Sequence, residues 1–157
     1  MNLFLTEVGY FGNYILLIAV IIEIYMTNKY KNIVYVYIIL SQLLNEIINR
    51  VLKNIIKQPR PIGYEYVNTW DMHKPGEYGM PSGHAQTVFT ETSFLILFSN
   101  NIKIKIFAVI QSLLTVYQRW YYKKHTVTQL IAGACIGILL GQVYYKIFKI
   151  NEKKLFK

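Results

Sequence analysis

Residues 33–56 read IVYVYIILSQLLNEIINRVLKNII, and this stretch decides the fold. Its first third is wholly apolar, and the whole is long enough to cross a bilayer as a helix. Its second half is interrupted by Gln42, Asn45, Glu46, Asn49, Arg50 and Lys53. At about 100° per residue these six fall within an arc of about 140°, and Leu43, Leu44, Ile47, Ile48, Val51 and Leu52 fill the rest. One face therefore suits lipid and the other does not. Charged groups at bilayer depth cost roughly 2.5–3.5 kcal/mol each on insertion scales, so they persist where they face a bundle interior or a wet cavity. Glu46 and Arg50, four residues apart, read either as a structural ion pair or as part of a site.

The rest of the chain repeats the apolar half of this pattern. It has 157 residues, 54% of them apolar, with 17 Lys+Arg against 8 Asp+Glu and a net charge of +9. Apolar content this high, delivered in long runs, exceeds what one soluble core needs. The runs fall at about 8–26, 33–56, 82–98, 104–118 and 126–148, each near the length a membrane helix requires. The expectation is an all-α, polytopic transmembrane bundle of about five spans, forming one domain over residues 1–157 with a basic tail from about residue 149. The first run reads as an uncleaved span, because no Lys or Arg precedes it and no small-residue cleavage site follows it. A single cysteine, Cys135, excludes a disulfide framework and any cysteine-based metal cluster. Nothing in the pattern suggests nucleic acid as a partner or specifies an oligomeric state.

Five crossings place 57–81 and 119–125 on one side with the N-terminus. The turns at 27–32 and 99–103 and the tail share the other. Lys29, Lys31, Lys103, Lys105 and five tail lysines give that second side nine positive charges against eight opposite, so the count alone decides little. Glu7 before the first span and Lys29 and Lys31 after it favour an outward N-terminus. Trp70, Trp120, Tyr121 and Tyr122 sit where interfacial aromatics would anchor the outer face. The tail lysines read as topology-setting charge, with binding of anionic headgroups as the alternative.

On the outward side lie three short motifs: Lys53 followed by Arg60-Pro61, then Pro81-Ser82-Gly83-His84, then Arg119 followed by His125. Cations at the end of one helix, a Ser-Gly-His opening the next and an Arg–His pair at a third edge describe a phosphate site. Ser82 is a natural N-cap, and the backbone N–H groups of Gly83 and His84 lie at the positive end of a helix dipole, where anions bind. Lys53, Arg60 and Arg119 supply charge for a transferring phosphoryl group.

These motifs resemble the phosphatidic acid phosphatase type 2 superfamily, whose members carry K-x6-R-P, P-S-G-H and S-R-x5-H-x3-D in that order. The first two match in full. In the third, Gln118 replaces the family's Ser and Gln129 its Asp. The resemblance covers roughly residues 50–133, and since the typical member has six spans, the chain looks trimmed at its N-terminus. It implies that His125 is the nucleophile that forms a phosphohistidine and that His84 protonates the leaving oxygen. Imidazole chemistry agrees, since a neutral ring attacks phosphorus and a second titrates near working pH. His73, without such company, reads as an exposed loop residue. No metal or other cofactor is implied, because Glu65, Asp71 and Glu77 form no paired pattern and three cations already neutralise the phosphate. Glu91 is expected either to pair with Arg50 inside the bundle or to take part in catalysis. Gly133, Gly137 and Gly141 read as a close-packing helix face, with Cys135 a small packing residue beside them.

Gln129 narrows the expectation. An acceptor four residues after His125 can take the ring N–H, but an amide adds no charge, so His125 should be a weaker nucleophile than with an aspartate. By the same logic, Gln129→Asp should be a gain. A diphosphate substrate tolerates the weaker nucleophile, because its leaving group is a phosphate. The string His125-Thr126-Val127-Thr128-Gln129 also resembles the dolichyldiphosphatase branch. The expected function is hydrolysis of a polyprenyl diphosphate, dolichyl diphosphate foremost. Phosphatidate, phosphatidylglycerol phosphate or undecaprenyl diphosphate are alternative substrates, and a catalytically silent lipid-binding or scrambling relative is the alternative of another class. The expected place is the endoplasmic reticulum with a lumenal site, or a plasma membrane with an outward site in a prokaryote.

Overall fold

The structure is a computed structural model that describes residues 3–26, 37, 39–63 and 77–155. Turn residues 27–32, with Lys29 and Lys31, and loop residues 64–76, with Glu65, Trp70, Asp71 and His73, lie outside them. Among the described residues every regular element is helical. Leu3–Tyr10 (α1) and Gly12–Met26 (α2) share one hydrogen-bond ladder across Phe11, whose N–H donates to the Glu7 carbonyl at 2.9 Å and whose carbonyl accepts from Ile15 at 3.0 Å. A π-helical turn at Ile39–Leu44 leads into Asn45–Ile56 (α3). Gly83–Phe98 (α4), Ile102–Tyr121 (α5) and Val127–Leu155 (α6) follow. Each expected apolar run is thus helical where it is described. Within α6, Val127–Ile150 is long and apolar enough to cross a membrane, and α2 is a shorter apolar helix. The basic tail begins as a continuation of α6.

Sequence chemistry sets the ends. Ser82 caps α4 by accepting the Ala85 N–H at 3.4 Å, and Asn101 caps α5 through Lys103 at 3.0 Å. Lys57 closes α3 in the left-handed conformation (φ 54°), and Pro59 prevents resumption of the helix.

The bundle is organised around α4, which packs most extensively on α6 and also meets α5, α2 and α3. The glycine stripe makes the α4–α6 contact possible. A Cβ on Gly133, Gly137 or Gly141 would collide with the carbonyl oxygens of Ser82, Gln86 and Thr90 respectively, so the two backbones touch. Cys135 does not share in this packing: it is exposed, because its helix position points away from the stripe.

Polarity is inverted relative to a soluble bundle. Ile18, Ile22 and Tyr25 on α2, Ile106, Ile110 and Leu113 on α5, and Ile131, Leu139 and Val143 on α6 are all exposed. Thr90, Glu91, Thr92, Gln111, Ser112, Thr115 and Gln118 are buried. The inner groups bond between helices: Thr92 donates to the Ala108 carbonyl at 3.1 Å, Ser93 to Ile138 at 3.1 Å, and Gln111 to Val8 at 2.8 Å. A bilayer accommodates such an exterior, and water does not. The apolar core, with Leu16, Val20, Ile24, Phe94, Leu95, Tyr144 and Phe148, fills the end of the bundle remote from the three motifs.

Glu91 is not paired with Arg50. It is fully buried and accepts from the Tyr37 hydroxyl at 2.5 Å and from Gln42 Nε2 at 3.0 Å. Arg50 bonds Glu46 at 2.6 Å on the outer edge of the α3 stripe. The polar arc is too wide to face inward entirely. Its Asn45–Asn49 side turns toward α4, which carries its Glu46–Arg50 side out of reach of Glu91.

Candidate active site

Four backbone links bring the motifs together. The left-handed Lys57 returns its N–H to the Lys53 carbonyl at 2.9 Å and folds Gln58–Arg60 back over the end of α3. The Gly79 N–H then meets the Gln58 carbonyl at 2.8 Å, and the Ser82 N–H meets the Gln129 carbonyl at 3.0 Å. After α5, Lys123 adopts φ 52° and the Lys124 N–H donates to the Arg119 carbonyl at 2.9 Å, which turns His125 back toward Arg60. The Arg-x5-His spacing is the length of that turn.

The result is a cavity of about 310 Å³ between α2, α3 and α4. Of the residues expected from sequence, Lys53, Arg60, Gly83, His84 and His125 line it. Ser82, Arg119 and Gln129 are buried behind this wall. The hydroxyl of Ser82 is committed to its cap, so its part in an anion site is to shape the helix start rather than to face the cavity. A Cβ on Gly83 would come within 3.2 Å of the Asn49 amide oxygen, so a side chain there would require Asn49 to shift.

His125 is held as one tautomer. Its Nδ1 lies 3.2 Å from Gln129 Oε1, which can only accept, so Nδ1 carries the proton. Its Nε2 accepts from Arg60 NH1 at 3.1 Å, and Arg60 also donates to the Lys124 carbonyl at 3.1 Å. The Nε2 lone pair therefore lies beside a fixed cation at the cavity. Gln129 is itself satisfied on both ends. Its oxygen also accepts from Thr126 N–H at 3.3 Å, and its Nε2 donates to the Pro59 carbonyl at 2.8 Å and to Gln58 at 3.2 Å. An aspartate could make neither donation, which gives a structural reason for glutamine here. Burial first, and then the charges of Arg60, Lys53 and Arg119, hold the His125 pKa well below the ordinary histidine value, against a smaller opposite pull from the Gln129 hydrogen bond.

His84 accepts at Nε2 from Arg119 NH2 at 2.9 Å, so its proton resides on Nδ1. Arg119 lies over the Tyr10 ring, 5.0 Å from its centroid, which braces the guanidinium from the α1 side. Lys53 and Arg60 share the Glu77 carboxylate at 3.9 and 3.6 Å, and the spacing demonstrates that the two cations can serve one anion.

Sequence reasoning missed Glu77, which looked like one of several scattered loop carboxylates. It also missed the Gln58–Pro59 seat of Gln129, and Asn13, which lines the cavity from α2. A lone Asn inside the first apolar run was the available signal for the last. Asn45 and Asn49 were legible as stripe residues, and their role is to tie α3 to α4. Asn49 Nδ2 donates to Gln86 Oε1 at 2.8 Å, and Gln86 Nε2 donates back to Asn45 Oδ1 at 2.6 Å.

The inverted bundle and the cation-lined cavity at one end together describe an integral membrane protein. The chain belongs to the PAP2 superfamily, whose family model matches residues 31–153. It is similar to "Dolichyldiphosphatase" from Saccharomyces cerevisiae, 39% identical over 120 residues, which covers 70% of this chain and 50% of that protein. It is also similar to "Dolichyldiphosphatase 1" from Dictyostelium discoideum, 29% identical over 155 residues, covering 90% of this chain and 65% of that one. The chain thus spans about half to two thirds of the length of these relatives. The fold is shared with a transmembrane PAP2-type phosphatidylglycerolphosphate phosphatase from Bacillus subtilis, at a TM-score of 0.67 and 22% identity over 96% of this chain and 75% of that one.

Proposed function

We propose that this chain carries the active site of a membrane phosphatase that hydrolyses a polyprenyl diphosphate, dolichyl diphosphate foremost, to the monophosphate and inorganic phosphate. The observation that carries this reading is the His125 Nε2 lone pair, fixed by Gln129 and set beside Arg60. An anionic phosphate entering between Lys53 and Arg60 displaces the Glu77 carboxylate and draws Arg60 from Nε2 onto its own oxygens. His125 Nε2 then attacks the distal phosphorus. The N–P bond forms as the bond to the bridging oxygen breaks, and the lipid monophosphate leaves with that electron pair. His84 supplies a proton to the leaving oxygen where one is needed, and water hydrolyses the phosphohistidine. The Gly83 and His84 amides at the start of α4, with Lys53, Arg60 and Arg119, stabilise the charge on the transferring group.

Similarity to dolichyldiphosphatases supports the choice of lipid. Gln129 supports it chemically, since a neutral orienting group suits a good leaving group. In this reading the bundle has about five spans, with the cavity facing the lumen or the cell exterior. The test is phosphate release by purified protein in detergent, on dolichyl diphosphate, undecaprenyl diphosphate, phosphatidylglycerol phosphate and phosphatidate, with chelator present. Turnover on the diphosphates that disappears in His125→Ala supports the reading. Turnover that requires added Mg²⁺, or that survives loss of His125, defeats it.

A further inference from the structure

The cavity does not end at the cations. Its remaining wall, the arm, is formed by Asn13 on α2, Asn45, Glu46, Asn49 and Arg50 on α3, and Thr87 on α4, where α2 and α3 each lean on α4. Thr87 lies one turn beyond His84 on α4, and Asn45 and Glu46 lie two turns before Lys53 on α3, so the arm runs from the phosphate end toward the middle of the bundle. Asn13 Oδ1 is buried and has no hydrogen-bond partner. Thr87 Oγ1 accepts from Asn45 Nδ2 at 3.0 Å, which leaves its own hydrogen to donate. Arg50, largely exposed at the outer rim of the cavity, uses Nε on Glu46 at 2.6 Å, which leaves its two terminal amino groups for another acceptor. The Thr87 hydroxyl hydrogen and the Arg50 fork are the donors suited to phosphate oxygens, the Asn13 amide oxygen can accept only from a protonated one, and the Glu46 carboxylate beside them is offset by Arg50.

Resting on the phosphatase reading above, we infer that this arm is a second phosphate subsite, which holds the lipid-linked phosphate of a diphosphate while the distal one faces His125. The direction fits, because the lipid chain must run from the second phosphate toward the bilayer interior. His84 stands at the junction of the two compartments, where the bridging oxygen would lie. The subsite accounts for the buried amide oxygen of Asn13 in a mostly apolar α2 and for an arginine outside the three motifs. It also gives diphosphates an advantage over monophosphates that leaving-group chemistry alone does not supply.

The experiment compares binding of methylenediphosphonate, which cannot be hydrolysed, with binding of inorganic phosphate by calorimetry on the full chain in detergent. Arg50→Gln, Asn13→Leu and Thr87→Val are measured beside the parent. The parent should bind the diphosphonate at least tenfold more tightly than phosphate, and each variant should cut that ratio about fivefold or more. Two of the three variants leave charge unchanged, so their effect cannot come from long-range attraction. A ratio that falls only in Arg50→Gln, or in none, overturns the subsite. Hydrolysis keeps the two readings apart. A parent that cleaves no lipid but shows the variant-sensitive ratio removes the phosphatase reading and leaves the subsite. One that cleaves dolichyl diphosphate and phosphatidate with a preference unchanged in all three variants does the reverse.

Discussion

Replacing Gln129 by leucine keeps a buried side chain of similar length and removes the acceptor at 3.2 Å from His125 Nδ1. A buried donor left unpaired costs about 1–3 kcal/mol. The imidazole escapes that cost by moving its proton to Nε2, where it blocks attack on phosphorus. At 1.36 kcal/mol per factor of ten, the productive tautomer falls by roughly 5- to 150-fold. Arg60 opposes the shift, since its NH1 at 3.1 Å needs a lone pair on Nε2, so the lower part of that range, about tenfold, is expected. Rapid-quench measurement of phosphoenzyme formation in a single turnover reads this step directly. Gln129→Glu should recover part of the rate by restoring an acceptor for Nδ1, although its second oxygen then faces the Pro59 carbonyl. For Gln129→Asp, where sequence alone suggests a gain, the geometry adds an opposing cost and leads us to expect a loss. The shorter side chain withdraws from His125 and leaves the Pro59 carbonyl without its 2.8 Å donor. A Gln129→Leu enzyme within twofold of the parent in phosphoenzyme formation would refute tautomer anchoring.

Four further outcomes follow from the same geometry. His84→Ala should slow phosphatidate hydrolysis by about 10²–10⁴ and dolichyl diphosphate hydrolysis by less, because an alkoxide needs the proton more; equal losses would assign His84 another task. Because folding depresses the His125 pKa, the unfolded chain takes up a proton below about pH 6.5 that the folded chain refuses. Stability is therefore lost as pH falls from about 6.5 toward the folded value, and the parent should lose melting temperature faster on acidification than His125→Asn; parallel curves would contradict this. Gly137→Val should force α4 and α6 apart at the Gln86 carbonyl and cost about 1–3 kcal/mol or more, read as a lower melting temperature, and an unchanged one would mean the helices can separate freely. Cysteine at Ile62, which is fully exposed, should react with a membrane-impermeant thiol reagent from the outer face in a Cys135→Ala background; labelling only from the cytoplasmic face reverses the orientation.

The three motifs were legible because each sits at a helix end, where short-range spacing and capping chemistry fix what a side chain does. Lys53 and Arg60 straddle one turn, Ser82-Gly83-His84 opens a helix, and Arg119 to His125 is one reversal. The glycine stripe was legible for a related reason, since a spacing of four keeps one face in line. Pairings between helices were not, because they depend on how each helix is rotated about its axis. Within the six-residue stripe, Gln42 and Arg50 lie about 12 Å apart along the axis, so the level at which the helix packs on its neighbour decides which of them reaches Glu91. Gln129 was placed correctly against His125 by its i+4 position, but the reason it is an amide lies 70 residues away at Pro59, beyond any local pattern.

The glycine contact between α4 and α6 has a consequence for how relatives of this chain diverge. It joins Ser82, Gly83 and His84 to His125 and Gln129 as one rigid piece with no side chain between the backbones to loosen it. The outer edge of α3 and the facing side of α2 are attached only at their margins and carry the arm that would meet the lipid. On the proposed function and subsite, reaction geometry and lipid preference would thus reside in separately mutable parts. Drift in Asn13, Glu46 or Arg50 would then move such a protein from one phosphorylated lipid to another while the chemical step survives, whereas drift at Gly133, Gly137 or Gly141 would part the two backbones and remove activity toward all lipids at once.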